Sequence, residues 1–202
     1  SKYFYLGRRE EIIEEVLRKL AIEGAGVFLD GQAGVAFSIY QIRKELELHN
    51  HMMSYYQVLE SLKILALTRL ELINPENKKE TIIFSPIENL GISGEGEETQ
   101  TYVIFSPLVT NGIKNLKFRL YNYDQVMKYK SVIARQLHKR MAHHYRQASI
   151  ANKYSIYLTT IIRDFGLTRQ KYLRTNMLDV EKALVEMKDE GVILNYEINK
   201  VF

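Results

Sequence analysis

Around residue 68 the spacing of apolar side chains changes from about 3.6 residues to about two, and this switch constrains the fold more than any other feature of the chain. Upstream of it, Ile12, Ile13, Val16, Leu17 and Leu20 recur at helical spacing between Gly7 and Gly24. Glu10, Glu11, Glu14 and Glu15 sit toward the positive end of that helix. A second helical stretch spans residues 37–48, and a third begins near Met53 and runs through Tyr56, Leu59, Leu62 and Leu65. Downstream, residues 68–73 and 81–85 alternate as strands around the polar turn Asn74, Pro75, Glu76, Asn77. Three helices followed by a β-hairpin is the order of a winged helix-turn-helix unit.

The second half repeats that order. Residues 123–145, 154–165 and about 170–190 predict three further helices, the last ended by Gly191 and followed by an alternating strand over 192–198. Phe37-Ser38-Ile39-Tyr40 has a counterpart in Tyr154-Ser155-Ile156-Tyr157, and Leu70-Glu71-Leu72 in Tyr196-Glu197-Ile198. Between the halves, residues 88–100 are rich in Gly and Glu and read as a flexible acidic loop or linker. Ile83-Phe84-Ser85-Pro86 before it returns as Ile104-Phe105-Ser106-Pro107 after it, either two edge segments bracketing the loop or coincidence. The 202 residues therefore predict an α+β fold, mainly α, of two tandem winged helix-turn-helix domains, 1–98 and 99–202, the second stopping in or just after its first wing strand. A chain opening on Ser1 rather than Met reads as processed or trimmed.

Composition narrows the function classes. Hydrophobic residues at 46% exclude a disordered chain. No apolar stretch approaches a membrane span and no signal-peptide pattern opens the chain, which predicts a soluble cytoplasmic protein with no membrane partner. The absence of Cys removes disulfides, thiolate metal sites and thiol nucleophiles. Gly24-Ala25-Gly26 lacks the third glycine of a dinucleotide loop, Leu29 standing in its place, and no Gly-Lys-Ser/Thr occurs. His49 with His51, and His143 with His144, have no carboxylate at metal-ligand spacing. The expectation is a non-enzymatic chain with no cofactor and no metal.

Charge supplies the positive signal. Residues 1–98 carry 11 basic and 16 acidic side chains, whereas residues 99–202 carry 17 basic and 8 acidic. Within residues 110–175, 14 Lys or Arg stand against only Asp124 and Asp164. Such a segment points to a polyanion, against the plainer reading of a solvated basic surface. On a continuous helix over 123–145 and beyond, Lys128, Arg135, Lys139 and Arg146 fall within about 20° of one line, opposite Val126, Ile133 and Leu137. That stripe would cover about 27 Å, enough to follow several phosphates. In the last helix an apolar seam of Leu173, Met177, Val180, Leu184 and Met187 faces a side that opens with Arg169, Gln170, Lys171, Arg174, Thr175 and Asn176 and ends with Glu186, Asp189 and Glu190. A recognition helix has that polarity, because its N-terminal end enters the major groove. Arg pairs with guanine edges, and Asn or Gln with adenine. Most of the 14 tyrosines are expected in core or rim positions, with one or two stacking on bases or bonding phosphates.

Several spaced residues carry a resemblance. They are Phe105-Ser106-Pro107-Leu108-Val109, Ile113-Lys114-Asn115-Leu116, Arg119, Tyr121-Asn122-Tyr123, Lys130-Ser131, Ala134-Arg135, Leu137-His138-Lys139-Arg140, Gln147-Ala148-Ser149 and Arg163-Asp164-Phe165-Gly166-Leu167. Together they resemble bacterial plasmid replication initiators of the iteron-binding type, over roughly residues 104–198. The resemblance implies tandem winged-helix domains that bind short direct repeats at a plasmid origin, help open the duplex, and recruit the host helicase and DnaA. It also implies a first domain that governs dimerisation, dimers repressing and monomers initiating. Carried over residue by residue, it implies DNA contacts from Lys128, Arg135, Lys139 and Arg140 and from Lys171, Arg174 and Asn176. The chain departs from the family pattern in lacking a complete second wing.

The residues thus predict a non-enzymatic, sequence-specific double-stranded DNA-binding chain, and the resemblance implies that it is an initiator, cytoplasmic in a bacterium and associated with plasmid or nucleoid. Its expected DNA-binding residues are Lys128, Arg135, Lys139, Arg140, Arg146, Arg169, Lys171, Arg174, Thr175 and Asn176. The acidic first domain is expected to associate with protein, including a second copy of the chain, with Lys78 and Lys79 of its wing turn as its nearest approach to a phosphate. The alternatives are a winged-helix transcription repressor and, from another class, an interaction scaffold that never binds DNA.

Overall fold

The computed structural model describes residues 6–73, 77, 80–94, 96, 99–145, 149, 151–167 and 173–199. The chain is α+β, mainly α. It divides into two units, Ser1–Phe118 and Arg119–Phe202.

In the first unit, helix α1 (Arg8–Leu20) buries Ile12, Ile13, Val16 and Leu17 and runs into a single π-turn, Ala21–Ala25. Strands β1 (Gly26–Leu29) and β2 (Gln32–Ser38) follow as an antiparallel hairpin. Its two turn residues, Asp30 and Gly31, have φ of 50° and 76°, the doubly positive pattern of a type I′ turn. Helices α2 (Ile39–Leu48) and α3 (Tyr55–Leu67) each start with a reciprocal cap. The Ser38 hydroxyl accepts the Gln41 N–H at 3.2 Å while the Gln41 side-chain oxygen accepts the Ser38 N–H at 2.7 Å, and Ser54 with Gln57 repeats the device. Strands β3 (Leu70–Ile73) and β4 (Thr81–Phe84) form the expected hairpin, with Leu72 opposite Ile82. Residues 74–76, 78 and 79 of its turn, Lys78 and Lys79 among them, lie outside the described residues.

The expected helix over 37–48 begins two residues later, because Phe37 and Ser38 end β2. The expected loop over 88–100 is largely strand. β5 (Ile87–Ser93) pairs antiparallel with β6 (Gln100–Phe105), and the sheet runs β1-β2-β6-β5. Its glycine has a packing reason: a β-carbon on Gly91 would collide with the Tyr102 ring. Val103 and Phe105 of β6, Ile87 of β5 and Val35 and Phe37 of β2 are buried. Since β6 lies between β2 and β5, the division of the chain falls at 118/119 rather than 98/99. Helix α4 (Pro107–Lys114) closes the unit, its Thr110 hydroxyl accepting the Ala33 N–H at 2.9 Å.

The second unit holds α5 (Tyr123–Lys128), α6 (Val132–His144), α7 (Leu158–Asp164) and α8 (Leu173–Asp189). Its core gathers Tyr129, Ile133, Ala134, Leu137, Ile161, Val180, Ala183 and Met187. The helix expected over 154–165 starts only at Leu158. No strand forms over 192–198. The Val192 and Ile193 N–H groups both turn back to the Met187 carbonyl, at 2.9 and 3.4 Å, and both side chains pack on the core. Two adjacent apolar residues turned inward cannot alternate as a strand does.

Candidate nucleic-acid interface

The basic stripe depends on one continuous helix, and the chain breaks that helix at residues 129–131. Tyr129 leaves the helical conformation (φ −65°, ψ 131°) and is fully buried. Ser131 then opens α6 as its cap, accepting the Ala134 N–H at 3.3 Å. From α8 the Glu186 carboxylate accepts the Lys130 and Ser131 N–H groups at 2.6 and 3.0 Å. Lys128 therefore belongs to a different helix from Arg135 and Lys139. It is exposed, 3.9 Å from the Glu190 carboxylate.

Arg135, expected to contact phosphate, has no exposed surface. Its guanidinium donates to the Tyr129 carbonyl at 2.6 Å and so braces the break from inside. Lys139 is half-buried. Arg140 pairs with Asp164 at 2.8 Å and donates to the Tyr154 hydroxyl at 3.0 Å. In α8, Arg174 and Thr175 are exposed, as a groove-reading pair must be, whereas Asn176 is 4% exposed and cannot reach a base edge. The wheel explains the error: Asn176 stands one turn ahead of Val180 and shares its inward side. Arg146, Arg169 and Lys171 lie outside the described residues.

The structure adds a cluster that charge counting missed. Asp164 takes a second arginine, Arg163, at 2.6 Å. The hydrogen bond from Arg163, with the charges of Arg163 and Arg140, holds its carboxyl below the usual range. Tyr154 stacks obliquely on Tyr145, ring centres 5.6 Å apart. Arg163-Asp164 beside Arg140 was legible as charge in the sequence, but nothing there says that one carboxylate serves both. Deeper in, the Tyr129 hydroxyl meets His138 Nδ1 at 3.1 Å. Burial, with Glu190 and Glu186 nearby, pushes the tyrosine pKa up, and burial lowers that of His138.

The first unit offers a different surface. Leu72, Ile73, Ile82 and Ile83 on β3 and β4 are each more than half exposed. At the base of this hairpin the Ser85 hydroxyl bonds the Thr68 carbonyl at 2.9 Å. Among the described residues no helix is long and apolar enough to cross a membrane, and no three His, Asp or Glu gather as a metal site. Comparison with family models, with curated proteins and with solved structures gives no match.

Proposed function

We propose that this chain binds double-stranded DNA through its second unit, without catalysis, and that it acts as a plasmid replication initiator at direct repeats. The observation that carries the reading is the distribution of charge along α8. Arg174 and Thr175 are exposed at its start, while Glu186 is committed to the start of α6 about 18 Å further along the helix. The unit holds 15 basic against 8 acidic side chains, and Asp164 is taken up by two arginines. In this reading α7 and α8 are the helix-turn-helix pair, α8 enters the major groove, and Lys128 approaches the backbone.

The finer architecture belongs to the same proposal. The first unit is a winged helix-turn-helix with α2 and α3 as the pair and β3–β4 as the wing, and in the second the irregular segment 192–199 stands where a wing would begin. The first unit carries 13 basic and 16 acidic side chains and an exposed apolar hairpin, which favours protein over DNA as its partner. We assign it self-association and, from the resemblance over residues 104–198, contact with the host helicase and DnaA.

A fluorescence-anisotropy titration of duplex DNA at several salt concentrations tests the reading, affinity falling steeply with salt. Arg174→Ala should lower base discrimination by about 1–3 kcal/mol, while Lys128→Ala weakens all sequences alike. A flat salt response or no binding would leave the interaction scaffold. Direct repeats beside an A·T-rich segment next to the gene favour an initiator; a single inverted repeat over a promoter favours a repressor.

A further inference from the structure

Within the second unit, one carboxylate is divided between two helices. Arg140 of α6 donates to Asp164 Oδ2 at 2.8 Å, and Arg163 of α7 donates through Nε to Asp164 Oδ1 at 2.6 Å. Arg140 is itself held, its Nε donating to the Tyr154 hydroxyl at 3.0 Å, and the Tyr154 ring leans on that of Tyr145. These contacts run as one chain from Tyr145 to Arg163. Its inner members are largely covered, the Arg140 and Asp164 side chains being 25% and 23% exposed, whereas that of Arg163 is 75% exposed. Among the described residues the two terminal amino groups of Arg163 make no hydrogen bond. Stability does not account for an exposed arginine held in this way. An exposed ion pair contributes little, and ordering so long a side chain costs entropy. Asp164 is also the last residue of α7, the end of a helix where backbone partial charge is negative and an acid is least favoured. An acid kept there, ionised by the arginines beside it, is explained by what it holds and not by the helix.

We propose that Arg163 contacts a DNA phosphate and that Asp164, anchored by Arg140, is the residue that positions it. The inference rests on the DNA-binding reading above and deepens it, adding a backbone contact on α7 to the base contacts of α8. The first helix of a helix-turn-helix pair crosses the phosphate backbone, so α7 is the element that should carry such a contact. Arginine's planar fork matches phosphate oxygens, and with Nε taken by Asp164 the terminal amino groups are the edge left to receive them. A guanidinium ordered before DNA arrives loses less freedom on contact. Thr159, four residues earlier on the same side of α7, is exposed and brings a hydroxyl to that side, while Ile161 and Ile162 turn inward.

Net charge predicts the opposite outcome at Asp164, and that opposition is the test. Asp164→Asn removes a negative charge from the basic unit while its amide oxygen can still accept from Arg140, so on charge alone it should bind DNA more tightly. As a positioning residue it should instead bind several-fold more weakly, in anisotropy titrations of the 202-residue chain with a mixed-sequence DNA duplex at several salt concentrations. Arg163→Ala removes exposed atoms and should melt like the parent. It should bind several-fold more weakly, with the slope of log affinity against log salt reduced by about one. In the Asp164→Asn background the same change should cost clearly less, a coupling that a general loss of stability does not produce. Tighter or unchanged binding by Asp164→Asn, unchanged binding by Arg163→Ala, or equal costs of Arg163→Ala in the two backgrounds overturns the proposal and leaves the α8 contact standing. Absence of duplex binding by the parent overturns both.

Discussion

In the first unit a buried carboxylate ties helices together: Glu10, 3% exposed, accepts the Gly7 N–H at 2.9 Å and the Ser61 hydroxyl at 2.8 Å, joining the start of α1 to α3. In the second unit the buried charge is a cation, Arg135, held on the Tyr129 carbonyl at the α5–α6 break. The acidic unit has an acid inside and the basic unit a base. Net charge counts such groups with the surface ones, although neither reaches solvent or a ligand. The basic surface of the second unit is therefore smaller than its sequence suggests.

The largest effect should come from removing the cation. Arg135→Ala leaves a cavity and strips the Tyr129 carbonyl of its donor, so it should cost about 3–5 kcal/mol in thermal or urea unfolding of the second unit. Arg135→Met fills most of the space and should cost less, about 1–3 kcal/mol. If both variants stay as stable as the parent and only lose DNA affinity, Arg135 is a surface contact and the comparison fails. Glu10→Ala comes next. It leaves an amide and a hydroxyl without their acceptor in the first unit, for about 2–3 kcal/mol, and should spare the affinity of the second unit for DNA.

Glu186→Ala sharpens the contrast from the other side. Its carboxylate is half-buried and reaches across from α8 to two N–H groups at the start of α6, so its loss should cost about 1–2 kcal/mol, less than that of Glu10. Because the substitution also makes the unit more positive, DNA affinity should rise slightly while stability falls. A variant that loses both would place Glu186 in the binding surface.

Much of the fold was legible because local signals and burial agreed. Ile12, Ile13, Val16 and Leu17 face the core at the spacing their sequence announces, and Thr81 to Phe84 pairs with Leu70 to Ile73 around its polar turn. The β1–β2 hairpin also had a signal, Asp30-Gly31 between apolar runs, which is a strong two-residue turn pattern. Gly91 misled because a glycine that relieves a collision with an aromatic ring looks, in sequence, like one that loosens a linker. The candidate interface was less legible. Whether an arginine faces phosphate or a carbonyl depends on where a helix breaks, and the break at 129–131 is set by Glu186, more than 50 residues away. Local periodicity holds no trace of such a partner.

The smallest expected effect is a pH dependence confined to the second unit. Half-buried His138 meets the Tyr129 hydroxyl at Nδ1, and burial lowers its pKa below the ordinary 6.5. A neutral ring with its proton on Nε2 accepts the tyrosine hydroxyl there; a protonated ring can only donate at Nδ1, so the bond has to reverse, and burial penalises the charge. With the folded pKa below the unfolded one, the unfolded chain takes up its proton first as the pH falls. Stability from this residue is therefore complete above about pH 6.5 and declines as the pH drops through that value toward the folded pKa. Melting curves between pH 7.5 and 5.5 should show Tm falling in the parent and falling less in His138→Gln, whose amide oxygen can accept the same hydroxyl without titrating. Equal losses in the two proteins would mean that the Tyr129–His138 contact contributes nothing to the acid sensitivity, leaving Arg135 and Glu186 as the polar supports of the break.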